Sequence, residues 1–221
     1  MTQALFRRNL AWAAARARDD RNYFPDLAAQ EAPDYLWIGC ADSHLPAHDL
    51  TGLAPGQLFV HRNLANLAPA QDSNFLSVLQ YALEVLKVRH VIVCGHYGCG
   101  GVRAALSGAR HGLVDHWLQP VRSLFWRHAE ELEAILDVEA RVNHLCEHNV
   151  IEQVISLAGN PLAHDAWRRG QPLAVHGWIY SIHDGLLRDL ETTVSDLHQA
   201  RALAGAPTGG EPRRKAARTR S

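Results

Sequence analysis

Charge imbalance, cysteine and long apolar runs are all scarce in this chain. Its 221 residues carry 22 Lys and Arg against 23 Asp and Glu, a formal net charge of −1. A chain so balanced has no electrostatic footprint for nucleic acid. No apolar run reaches 18 residues, which excludes a hydrophobic spanning helix and a membrane partner of that kind. The chain shows no basic start, apolar middle and small-residue cleavage site, so no secretory signal is read. Cys40, Cys94, Cys99 and Cys146 are the only cysteines, too few in a domain of this size for a disulfide scaffold. A reducing cytoplasm, with thiols free to bind metal, is the expected location. No internal repeat is visible.

What is present is an alternation of short apolar runs with helical periodicity. Arg7, Arg8, Arg16 and Arg18 make the start basic, but Leu5, Phe6, Leu10 and Trp12 fall at helical spacing. This segment reads as an amphipathic arm helix, broken near residues 22–25. Tyr35 to Gly39, Leu58 to Val60 and His90 to Cys94 read as buried strands. Phe75, Leu76, Leu79, Leu83 and Leu86 mark a helix over 73–86. Another helix starts at Gly100, and helices fill most of 113–158. Residues 173–176 with 178–180 read as a last strand pair. Strands alternating with helices imply an α/β fold, a central and mainly parallel sheet flanked by helices. Residues 1–204 form one such domain. After it, Gly205 to Gly210 is a breaker cluster, and five basic residues against one acid give the 205–221 tail a charge of +4. Such a tail is expected to be disordered and can contact an acidic partner.

Chemistry concentrates at the ends of two of these strands. Leu36-Trp37-Ile38-Gly39-Cys40-Ala41-Asp42-Ser43-His44 and Val91-Ile92-Val93-Cys94-Gly95-His96-Tyr97-Gly98-Cys99-Gly100-Gly101 both run from an apolar strand into a loop of small residues. Cys40, His96 and Cys99 offer two thiolates and one imidazole, a zinc set with one position left open, as catalytic zinc sites are built. If the two strands are parallel neighbours, both loops emerge at the same carboxyl edge. Cys94 and Cys146 read as small buried hydrophobes.

These segments, with Phe59 to Asn66 and His176-Gly177-Trp178-Ile179-Tyr180, closely resemble the β-class carbonic anhydrases of bacteria, from about Trp12 to Asp189. The resemblance implies a β-carbonic anhydrase-like fold, a homodimer or tetramer, and zinc-dependent hydration of CO2 to bicarbonate. It places the zinc ligands on Cys40, His96 and Cys99. It gives Asp42 two jobs, as a fourth zinc ligand in a closed state or as the group that orients the attacking water when held away. It assigns Leu64, Tyr81 and Gly101 to the CO2 pocket. In the bicarbonate-regulated branch of that family, residues matching Trp37, Arg62 and Tyr180 hold an inhibitory bicarbonate.

Two departures stand out. Where the family has Cys-x-Asp-x-Arg, this chain has His44 in the arginine's place. Arginine stays charged and forks onto a carboxylate, whereas histidine offers one bond and titrates near 6.5. Where the family has a glutamine nine residues before the first cysteine, this chain has Glu31, which when ionised only accepts. Reduced activity is therefore expected, with Asp42 resting on the metal. The rival readings are a zinc-bearing bicarbonate-binding or scaffold protein and a hydrolase of carbonyl sulfide or carbon disulfide. His61, His176 and His183 read as structural. His111, His116, His128, His144, His148 and His164 read as scattered, with no carboxylate at ligand spacing.

Overall fold

The computed structural model describes residues 2–29, 32–107 and 109–205. Glu31 and nearly all of the basic tail lie outside them.

Tyr35–Cys40 (β1) is buried over its last five residues, as a strand covered on both faces must be. It is flanked by Leu58–Asn63 (β2) and His90–His96 (β3), and the sheet continues through Ala174–Tyr180 (β4) to Leu187–Val194 (β5) in the order β2-β1-β3-β4-β5. The first three pairings are parallel and β5 alone runs antiparallel. The expected α/β architecture is therefore the one observed, with two corrections. The supposed last strand pair is one strand, β4, with a pairing irregularity against β5 at Gly177/Trp178. And β5 itself, an edge strand with charged side chains, has no buried apolar run to announce it.

The helices are Gln3–Asp19 (α1), Tyr23–Ala28 (α2), Ala47–Thr51 (α3), Ser73–Gln80 (α4), Gly100–Leu106 (α5), Leu113–Trp117 (α6), Gln119–Arg127 (α7), Ala129–Glu133 (α8), Val138–Ala158 (α9), Pro161–Arg168 (α10) and Leu197–Gly205 (α11). The break after the arm lies at residues 20–22. Pro25 sits in the first turn of α2, where a missing N–H costs little. A π-helical turn, Tyr81–Val85, extends α4.

The main core lies between one sheet face, with Leu36, Ile38, Val91, Val93 and Val175, and Phe75, Leu79, Val150 and Val154 of the helices. Gly177 lets α9 lie close on β4: a Cβ there would meet Val150 and Val154 methyls at 3.2 Å. A second core, with Cys40, Ala65, Cys99, Leu118, Leu124, Leu132 and Leu145, closes the carboxyl end of the sheet beneath α5, α7, α8 and α9. The arm contributes nothing to either core, since α1 has no buried residue.

Candidate metal centre

Parallel pairing of β1 with β3, in the register Gly39↔Cys94, brings both loops to one edge of the sheet. There the ligand atoms of Cys40, His96 and Cys99 all lie within 4.8 Å of one another, and all three residues are buried. The two sulfurs are 3.6 Å apart. A tetrahedral ion with metal–sulfur bonds of about 2.3 Å would hold two thiolates at roughly this separation. His96 Nδ1 faces the Tyr97 carbonyl at 3.2 Å, while its Nε2 is buried without a partner. A donor to that carbonyl fixes Nδ1–H and leaves a lone pair on Nε2, the tautomer that metal ligation needs. An orphaned nitrogen beside two thiols fits zinc.

The thiols point the same way. Cys40 is pulled well below the usual thiol range, first by the Cys99 S–H donated to it, then by the backbone N–H groups of Asp42 and Ala65 at 3.3 and 3.2 Å. Cys99 is pushed up, because it holds the shared proton and burial disfavours a second thiolate. A dication would remove the repulsion and take both sulfurs as thiolates.

α9 fixes the loop after β2, which donates to Cys40, and the loop after β3, which carries His96 and Cys99. Asn149 donates to the Ala65 carbonyl at 2.9 Å, and Gln153 accepts from Ala68 N–H at 2.9 Å while donating to Asn149 at 3.1 Å. These bonds hold Ala65 in a left-handed conformation, φ 67°, that aims its N–H at Cys40. Nearer the start of α9, Asn143 accepts from Gly98 N–H at 2.8 Å and Glu147 accepts from the Tyr97 hydroxyl at 2.5 Å. None of these four residues was expected from sequence. The signal for two of them was a pair of amides, Asn149 and Gln153, one turn apart on the otherwise apolar buried face of α9.

Asp42 is not where a closed site would put it. Its Oδ2 accepts from Gly100 N–H at 2.8 Å, and its carboxylate is not part of the converging set. A Cβ at Gly100 would stand 3.0 Å from that oxygen, so the glycine makes room for the tether. The expectation puts Asp42 on the metal as fourth ligand; here a backbone N–H holds its carboxylate, where no arginine stands. His44 is exposed and has no hydrogen-bond or ion-pair partner among the described residues. Leu64 packs against Gly101, where a Cβ would meet its Cγ at 3.1 Å. Tyr81 does not join them. It is 48% exposed and lies against Phe59, with ring centroids 5.8 Å apart.

Trp37, Arg62 and Tyr180 do come together, lining a cavity of about 230 Å³ with Ser43 and His48. Arg62 Nε donates to the Cys40 carbonyl at 2.9 Å and its Nη2 to the Ser43 carbonyl, while the Tyr180 hydroxyl is 2.7 Å from Ser43 Oγ. Burial holds His61 and His176 below the usual imidazole range. The reading of the remaining histidines as scattered is corrected for three of them: His128, His144 and His148 all contact Glu131.

A mainly parallel sheet that delivers two thiols and an imidazole to its carboxyl edge defines an α/β protein with a candidate metal centre there. The carbonic anhydrase family matches residues 35–187. The carbonic anhydrase of Emericella nidulans is 44% identical over 186 residues, 84% of this chain and 82% of the relative. That of Pseudomonas aeruginosa is 34% identical, over 83% of this chain and 88% of its own. A solved tetrameric β-carbonic anhydrase of the ascomycete Sordaria macrospora superposes with a TM-score of 0.82 at 39% identity, over 88% of this chain and 98% of that one. The chain belongs to the carbonic anhydrase family, and its solved neighbours are of the β class. The resemblance holds at that level, and its relatives include fungal as well as bacterial enzymes.

Proposed function

We propose that the chain catalyses the reversible hydration of CO2 to bicarbonate at a zinc ion held by Cys40, His96 and Cys99. The observation that carries this reading is the buried, unpartnered Nε2 of His96 facing two sulfurs 3.6 Å apart. When bound, zinc supplies a water acidified far below its bulk value, and less so where two thiolates cancel the ion's charge, which favours alkaline turnover. The rest is the work of the chain. Asp42 keeps one carboxylate oxygen on Gly100 N–H and has the other to accept a hydrogen bond from the attacking water, which orients it. Leu64 against Gly101 forms an apolar wall of the kind an uncharged CO2 molecule needs. Asn143 and Glu147 fix the loop that carries His96 and Cys99.

One N–H is a weaker tether than an arginine fork. Turnover is therefore reduced, and His44→Arg raises it. The cavity at Trp37, Arg62 and Tyr180 is read as an inhibitory bicarbonate site. An anion there competes for Arg62 and Tyr180, which otherwise hold Ser43, next to Asp42. The protein is read as a cytoplasmic homo-oligomer: its cysteines are free thiols, and α1 exposes Leu5, Phe6 and Leu10. No feature of the site favours a hydrolase of carbonyl sulfide or carbon disulfide, or a non-catalytic scaffold, over this reading.

Stopped-flow CO2 hydration from pH 6 to 9, on protein of measured zinc content, tests it. Hydration well above buffer, rising with pH and lost in Asp42→Asn, is expected. A zinc-replete protein with no hydration at any pH overturns the reading. Equal rates in wild type and His44→Arg at pH 8.5 would remove the argument about the missing arginine.

A further inference from the structure

Beside the second core, α8 lies along α9. His128, at the junction of α7 and α8, and Glu131, one turn later, face His144 and His148 of α9. His128 Nδ1 is 3.5 Å from one oxygen of Glu131, and His148 Nε2 is 3.4 Å from the other. The His128 and His148 rings lie 4.3 Å apart between centroids. One ligand atom from each of His128, Glu131 and His148 lies within 4.8 Å of the other two. Donors on an ion with bonds of about 2.0–2.2 Å in tetrahedral array stand about 3.4 Å apart, close to the two distances seen.

We propose that His128, Glu131 and His148 form a second site, for a first-row transition-metal dication such as zinc. Two imidazoles and one carboxylate are a set that such ions take, with positions left open. His144 is a positioning residue. Its Nε2 is 2.7 Å from the Glu131 oxygen that His148 also approaches, so it orients the carboxylate. The guanidinium of Arg127, next in sequence, is taken by Glu152 at 2.6 Å. The other side of His144 approaches Glu147 at 3.7 Å, and Glu147 holds the Tyr97 hydroxyl. An ion here therefore staples α8 to α9 at the point where α9 supports the loop of the first centre.

The full chain, free of any histidine tag, is titrated with cobalt(II) after the first equivalent is bound, and metal content is measured after gel filtration. A second equivalent is expected. Its visible absorption should lack the sulfur-to-cobalt charge-transfer band of the first, because no thiol belongs to the set. His128→Gln with His148→Gln should weaken the second equivalent by more than about a hundredfold, and His144→Gln by about ten- to a hundredfold, as for other supporting residues. Glu131→Gln, at an exposed carboxylate, gives the same loss should the double variant fail to fold. Uptake of one equivalent only by wild type overturns the proposal. So does a second equivalent that survives in Glu131→Gln.

Discussion

Among the described residues, imidazoles come within metal-ligand range of partners twice, and the two places are built by opposite means. At the sheet edge the donors leave strands β1 and β3, are buried, and include a nitrogen with nothing to bond. On the flank of α9 the donors come from helices, are partly exposed, and already bond one another through Glu131. An unsatisfied buried donor costs free energy until an ion arrives, whereas a satisfied and hydrated one does not. The first centre is thus tied to the integrity of the fold, and the second is optional to it.

Cys99→Ala is the harshest test of that contrast. Zinc retained after dialysis should fall from one equivalent at the first centre to none. Hydration should fall by more than about a hundredfold, beyond the loss that a supporting residue causes. A variant that keeps both would dissolve the contrast. Gly100→Ala strikes the tether and leaves the ligands. The added Cβ, 3.0 Å from Asp42 Oδ2, shifts the carboxylate by a few tenths of an ångström, and a misplacement of that order lowers the rate by up to about tenfold. Unchanged zinc content with a slower rate is expected from stopped-flow and metal analysis, and an unchanged rate would show that the tether does nothing.

Asn149→Ala leaves the Ala65 carbonyl unpaired and exposes the strain at Ala65. Urea unfolding should register a loss of about 1–3 kcal/mol, and a loss near zero would mean the loop is held otherwise. A pH series sharpens the contrast further. His61, buried beside the loop that Asn63 clamps, is held below the usual imidazole range by burial, against a partial pull from Asp72. Below about pH 6.5 the unfolded chain takes up a proton that folded His61 resists. Stability should therefore be complete above that pH and decline as pH falls through this window. His61→Gln, which keeps an acceptor for Asn63, should decline less steeply. Parallel curves for the two proteins would assign the slope elsewhere. Smallest of all, Glu131→Gln should shift stability by under about 1 kcal/mol, as exposed ion pairs do, and leave CO2 hydration unchanged. A rate loss would show that the flank is not optional.

Much of the first centre was legible in sequence and almost none of the second. Cys40, His96 and Cys99 follow continuously apolar strands, and parallel pairing leaves their loops only one edge to share. Asp42 was recognised, but its resting partner was not, because Gly100 N–H is a backbone group that any residue would carry. Tyr81 stands apart from Leu64 and Gly101 within one chain, on a π-helical turn that no periodicity marks. His128 with Glu131, and His144 with His148, each show helical spacing. Their meeting depends on how α8 packs on α9 through Leu132 and Leu145, a tertiary fact with no local signature. Asn149 and Gln153 were hidden likewise, inside a helix whose length and apolar stripe already explained it.

The arm carries a consequence of another kind. α1 is 17 residues long and buries none of them, whereas most helical stability in proteins comes from packing an apolar face. Its order is therefore a property of a population, not of one chain. Dilution should melt it while the sheet stays folded. The helical signal of the protein should then fall with concentration at constant temperature, and protease should cut within the first twenty or so residues long before it opens the body.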